Sequence, residues 1–198
     1  MIYDWCDRLV ISLPGWLDAL YRSNKDKEFT SIEDMISLAV DISAQNVAEN
    51  TGGPFGCAIF ERDIATGIAK LFSCGANRVV PLNNSTLHAE MVAIQFAQKK
   101  LQQFSMKGAI EGKEFVLCTS CEPCCQCLGG TLWSGVSELV CSAAKEDAEK
   151  IGFNEGPVFA ESYKQLEEVG IKVKRQVLRS KGAAVLQRYG ETGVIYNG

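Results

Sequence analysis

The chain contains a single histidine, His88, and it opens the triplet His88-Ala89-Glu90. Further on, Pro123-Cys124-Cys125-Gln126-Cys127 follows closely on the apolar run Phe115-Val116-Leu117-Cys118. Imidazole and thiolate are preferred ligands of Zn²⁺, and three protein ligands leave the fourth tetrahedral position for water, which distinguishes a catalytic zinc from a structural one. Cys124 and Cys127, at i and i+3, share one face of a first helical turn. His88 and Glu90, at i and i+2, diverge on the flank of a regular helix but can converge on a site at its N-terminal end. There the free N–H groups and the positive end of the helix dipole favour thiolates and a carboxylate. The expected site is one Zn²⁺ per chain, held by His88, Cys124 and Cys127, on which water ionises at a pKa of ~7 in place of ~15.7. Glu90 is then the carboxylate that does not bind the metal and relays protons, a role worth about 10²–10⁴-fold.

Two other readings bear on these cysteines, of which the chain has nine. A closed tetrahedron of Cys121, Cys124, Cys127 and His88 would make the zinc structural and leave Glu90 without a task. Cys121 precedes Pro123 at the end of a strand, whereas Cys124 and Cys127 already share a helix face, so the open site is the expectation. Cys125, one step round that helix, is expected to point away and pack. Cys6, Cys57, Cys74, Cys118 and Cys141 stand among apolar neighbours, where free cysteine behaves as a small hydrophobe.

The elements that must position these groups follow from pattern. Thr30-Ser31-Ile32-Glu33 reads as a capping box before Ile32, Met35, Ile36, Ala39, Val40 and Val47 at helical spacing, which predicts a helix over 31–49. Gly52-Gly53-Pro54 ends it, and the runs 57–60 and 69–72 flank a polar turn as a hairpin does. A loop over 77–87 leads to a second helix over 88–104, whose first turn holds His88 and Glu90. Residues 115–118 read as a buried strand and 139–141 as another. Pro123, which costs nothing at a first helical position, starts a helix over 124–133 between them. A helical stretch over 159–169 and a strand over 171–178 complete an α/β chain. Strand, helix and strand in that order imply parallel crossovers, so the expected fold is a three-layer α/β/α domain with a mixed sheet.

Composition adds bounds. With 198 residues, 46% hydrophobic and 22% charged, the chain reads as one globular domain over 1–198, residues 1–30 being an extension with no assigned role. A net charge of −4 and a pI near 5.2 provide no broad basic field, which argues against nucleic acid as a partner. Asp4 and Asp7 stand where a secretory signal needs positive charge, and no long apolar run follows, so a cytoplasmic protein without a membrane span is expected.

In His88-Ala89-Glu90 and in Ser120-Cys121-Glu122-Pro123-Cys124-Cys125-Gln126-Cys127-Leu128-Gly129-Gly130 the chain resembles the cytidine deaminase superfamily, whose signature pairs His-x-Glu with Pro-Cys-x-x-Cys. Within it the chain most resembles bacterial-type guanine deaminases. The resemblance takes in Gly52-Gly53-Pro54-Phe55-Gly56, Asn77-Arg78-Val79, Leu132-Trp133 and Ile151-Gly152-Phe153-Asn154-Glu155-Gly156-Pro157. It implies a five-stranded mixed sheet between helices, a small nucleobase as substrate, and oligomers, with a homodimer expected. It also implies that Asn77 hydrogen-bonds a purine, that Phe55 and Trp133 line it or stack on it, and that the Ala89 backbone contacts it. Glu155 would recognise the ring and assist proton transfer, and the tail carrying Tyr196 would close over the pocket. Asn154 stands where an aspartate is frequent in the family, and Cys125-Gln126 is an unusual filling between the ligands. The implied reaction is guanine to xanthine and ammonia. Other aminated rings remain as alternatives: an aminotriazine, a pyrimidine or an adenosine in transfer RNA.

Overall fold

Strands β1 (Gly56–Asp63) and β3 (Lys113–Cys121) show how the core is divided. Successive side chains point to opposite faces of a strand. Accordingly Cys57, Ile59, Phe115 and Leu117 enter one apolar cluster, while Ala58, Phe60, Val116 and Cys118 enter another. Strand β4 (Glu138–Ala143) repeats the alternation with Leu139 and Cys141 against Val140. Strands buried on both faces need helices on both faces. Helices α4 (Ala89–Leu101), α5 (Cys125–Ser134) and α7 (Ala160–Glu168) supply Ala93, Leu128 and Leu166 to the first cluster. Helices α1 (Gly15–Asn24) and α2 (Ile32–Ala48) supply Leu17, Met35, Ile36 and Ile42 to the second.

This computed structural model describes residues 7–197. The sheet adds β2 (Ala69–Ala76) and β5 (Lys172–Lys174) in the order β2-β1-β3-β4-β5. β1 pairs antiparallel with β2 and β3, and β3, β4 and β5 run parallel, so the expected five-stranded mixed sheet is the one found. Short helices α3 (Val79–Leu82) and α6 (Lys145–Glu149) and the C-terminal α8 (Arg179–Thr192) complete the chain. No helix among the described residues is long and apolar enough to cross a membrane. Cys57, Cys74, Cys118 and Cys141 are buried core residues as expected; Cys6 lies outside the described residues.

Several boundaries differ from the sequence expectation. The cap of α2 is Ser31, whose hydroxyl oxygen accepts from Asp34 N–H at 3.1 Å, so the capping pair sits one residue later than Thr30 and Glu33. α3 lies inside the stretch read as a loop. Pro123 precedes α5 and does not occupy its first position: Cys124, in extended conformation, is the N-cap. The strand predicted over 171–178 pairs only over Lys172–Lys174, an edge segment whose lysines are exposed.

Candidate active site

The metal ligands meet because two helices begin at one place. His88 is the N-cap of α4 (φ −66°, ψ 158°) and Cys124 the N-cap of α5 (φ −66°, ψ 174°); Cys127 lies one turn into α5. His88 Nδ1 stands 3.4 Å from Cys124 Sγ and 3.5 Å from Cys127 Sγ. Bond lengths of ~2.3 Å to sulfur and ~2.0 Å to nitrogen at a tetrahedral centre place those atoms about 3.5 Å apart, so the donor set fits one zinc ion. All three ligand atoms lie within 4.8 Å of one another, and among the described residues this is the one such cluster. Cys121 is not part of it: its thiol donates to Ala144 C=O at 3.6 Å and packs with Ala143 and Phe153. The four-ligand closed site is therefore not formed.

Electrostatics at the corner favour a cation. Cys124 is pushed down to about 4, first by its hydrogen bond with Cys127 and then by His88, against the effect of burial. Cys127 is pushed up by that same hydrogen bond and by burial; a divalent ion held by the two sulfurs would favour the thiolate form of both. Glu90, buried in the first turn of α4, accepts the Thr119 hydroxyl on Oε1 at 2.8 Å, and its Oε2 lies 3.3 Å from Cys127 Sγ. Burial and the charge of Cys124 raise its pKa.

A cavity opens beside the corner, lined by His88, Glu90 and Cys124 and by residues from separate loops. Of the residues expected at the ring, Phe55, Asn77, Glu155 and Tyr196 line it. Asn77 Oδ1 accepts from Val79 N–H at 3.2 Å, a bond that leaves the amide nitrogen free of that turn. Glu155 is buried, and desolvation, then Cys124 and Glu90, push its pKa up to about 8. Tyr196 packs edge-on against Phe153 at 5.4 Å between ring centroids, with its hydroxyl buried and without a hydrogen-bond partner among the described residues. Ala89 contributes its side chain to the core, which leaves only its backbone for a ligand.

Trp133 is not at this cavity. It is 78% exposed near the far end of α5. Nine residues beyond Cys124 is half a turn out of phase and about 13 Å along the axis, which carries the indole to the opposite side. Cys125 is likewise exposed and not packed in a core, although its sulfur borders Gly156. A Cβ at Gly156 (φ +68°) would stand 2.7 Å from Cys125 Sγ, and Cys125 N–H donates to Glu155 C=O at 3.1 Å.

The cavity also holds residues that the spacing did not single out: Val79, Ser85, Glu122, Phe153, Asn154 and Asn197. Glu122 is buried and gripped by the Arg175 guanidinium at 2.8 and 2.9 Å, which pins the turn that leads into Cys124. Asn154 Oδ1 accepts from Gly156 N–H at 2.9 Å, the turn bond an aspartate would make, so this departure from the family pattern keeps its structural role. Asn197 Oδ1 accepts from Asn154 N–H at 2.7 Å, tying the tail to the Glu155 loop. The dense glycines and asparagine around Glu155 were the available signal.

Known proteins provide an independent comparison. Residues 29–143 match the family described as the cytidine and deoxycytidylate deaminase zinc-binding region. The guanine deaminase of Bacillus subtilis (strain 168) is 35% identical over 136 residues, which span 69% of this chain and 80% of that protein. The solved guanine deaminase of Nitrosomonas europaea superposes with a TM-score of 0.83 at 34% identity, over 96% of this chain and 100% of that one. A structure solved in complex with 2,6-diaminopurine gives 0.84 at 38% identity, over 96% and 97%. With its ligand triad at two helix starts and the deaminase match over its central region, the chain belongs to the cytidine and deoxycytidylate deaminase family, as a zinc-dependent aminohydrolase.

Proposed function

We propose that this chain hydrolyses guanine to xanthine and ammonia. The observation that carries the reading is the buried carboxylate of Glu155 in the same cavity as His88 and Glu90. Guanine presents N1–H and its exocyclic amine side by side, two donors that one carboxylate accepts together; the pair favours the ionised form and so offsets the upward push on Glu155, whereas adenine turns a lone pair toward it and gives no such help. The relatives named guanine deaminases support the same choice.

In this mechanism His88, Cys124 and Cys127 hold the metal. Zinc, when bound, supplies the Lewis acidity that makes water a nucleophile near neutral pH. Glu90 takes a proton from the attacking water and delivers it to ring N3 as the C2–O bond forms. It then carries the second proton to the amine, which leaves as ammonia when the C2–N bond breaks. Thr119 fixes one Glu90 oxygen, so the other, beside the Cys127 sulfur, carries this traffic. The raised pKa of the buried Glu90 suits a group that must hold a proton between transfers. Asn77 donates its amide to the ring, Glu155 accepts from the N1 edge, and Phe55 and Tyr196 cover the ring faces, with the Ala89 backbone beside it.

The reading includes a second copy of the chain. Trp133 is 78% and Phe104 90% exposed, and the Met106 N–H bond to Ser134 C=O at 2.8 Å ties together the segments that carry them, the surface that would meet the second copy. A homodimer covering it gives twice the chain mass in sedimentation. The reading sets the enzyme in the cytoplasm and in purine metabolism. Ammonia release by purified, zinc-quantified protein from guanine, adenine, cytosine and adenosine tests the substrate: guanine is turned over, and preference for cytosine or adenosine would overturn it.

A further inference from the structure

Asn46, fully buried in α2, is not in the cavity, yet it joins the segment leading to Phe55 with Asn77, and both of those residues line the cavity wall. Its Nδ2 donates to Gly53 C=O at 2.8 Å and to Asn77 C=O at 3.1 Å. Its Oδ1 accepts the Thr51 hydroxyl at 2.8 Å, and that hydroxyl oxygen accepts the Trp16 indole N–H at 2.9 Å. The direction of this chain is forced. An indole N–H only donates, a hydroxyl has one proton to pass on, and two backbone carbonyls only accept. The amide of Asn46 therefore has one orientation, with its NH₂ toward the wall.

The wall is close-built. A Cβ at Gly52 would stand 2.0 Å from Asn77 C=O, and one at Gly53 would stand 2.0 Å from the Tyr196 hydroxyl. Asn77 N–H in turn donates to Phe55 C=O at 3.1 Å. A shift in Asn46 thus reaches Phe55 and Asn77 together, two of the four wall residues assigned to the ring. The last donor in the chain, Trp16, belongs to α1, which lies outside the matched family region of 29–143.

We propose that Asn46 is a positioning residue for substrate, and that α1 acts on the same wall through Trp16 and Thr51. The N-terminal helix thereby sets the grip on the base without touching it. The inference rests on the deaminase reading only for its kinetic readout.

The test uses the full-length, zinc-loaded protein and whichever base of the panel the parent turns over best. Asn46→Asp, which points a carboxylate at two carbonyls, raises KM about tenfold or more while kcat stays within about threefold and zinc stoichiometry is unchanged. Trp16→Phe and Thr51→Val each raise KM about threefold, and the double variant matches Thr51→Val alone because the two act in series. Amide hydrogen exchange of residues 51–56 and 77 quickens in these variants, while the first turn of α5 is unaffected. Additive effects of the two single changes, an unchanged KM in Asn46→Asp, or unchanged exchange over 51–56 would overturn the proposal. If Asn46→Asp does not fold, the Trp16 and Thr51 pair decides. If cytosine or adenosine is the best base, the guanine reading falls and the wall is still judged on that base. If no base is turned over, the exchange measurement decides.

Discussion

The metal corner and the substrate wall share one cavity but are built in opposite ways. The corner takes its ligands from two helix starts, those of α4 and α5, and α5 follows directly on β3. The wall takes Phe55, Asn77, Glu155 and Tyr196 from four separate stretches, held by side chain to backbone hydrogen bonds and by a tail. On the proposed reading chemistry rests on regular elements and recognition on their connections, the division expected when a rigid scaffold carries adjustable loops. Substitutions at the corner should therefore act on metal and kcat, and substitutions at the wall on KM and base preference.

The largest expected effect is at the ligands. Cys124→Ser or Cys127→Ser loses zinc and with it turnover by at least ~10³-fold, since the lowered water pKa is lost. Cys121→Ser keeps one zinc per chain, and X-ray absorption resolves two sulfurs and one nitrogen; three sulfurs would merge the corner with a structural site. Next, Glu90→Gln keeps zinc and fold but slows deamination by about 10²–10⁴-fold, as single-turnover rates would record. Activity within a few-fold of the parent would mean that the protons travel elsewhere. Glu155→Gln comes third. An amide replaces one acceptor with a donor, so kcat/KM for guanine falls by about 10²-fold or more with zinc unchanged. Equal loss for every base in the panel would make Glu155 part of the corner instead of the wall. The smallest effect is Asn154→Asp: either side chain accepts the Gly156 N–H, so KM stays within about twofold.

The same division explains which parts could be read from sequence. His88, Cys124, Cys127 and Glu90 announced themselves because ligand chemistry demands particular residue types at short helical spacing. The hairpin and the parallel strands followed from apolar runs. α8 did not, because Gly182 interrupts a polar helix with few apolar positions. That glycine serves close approach: a Cβ there would meet Ser120 C=O at 2.7 Å and Ala143 N at 2.8 Å. β5 was read too long because an edge strand of Lys172, Val173 and Lys174 has only one side chain with a core to face. Trp133 was assigned to the ring by resemblance, and helix phase puts it elsewhere. The hydrogen bonds of Asn46 and Asn197 have no sequence period at all, since their partners lie on other segments.

The contact between Cys125 and Gly156 bears on how such an enzyme changes over generations. A residue between two metal ligands would ordinarily be free to drift, because it touches no ion. Here its sulfur lies against the loop that presents Glu155, and its N–H holds that loop's backbone. Any residue other than glycine at Gly156 has to displace the Cys125 sulfur while adopting a left-handed backbone, so the side chain at Cys125 limits what Gly156 can become. The two positions are therefore epistatic: a lineage that replaces one inherits a constraint on the other, and a shift in base preference can begin with a mutation inside the metal motif that leaves the metal untouched.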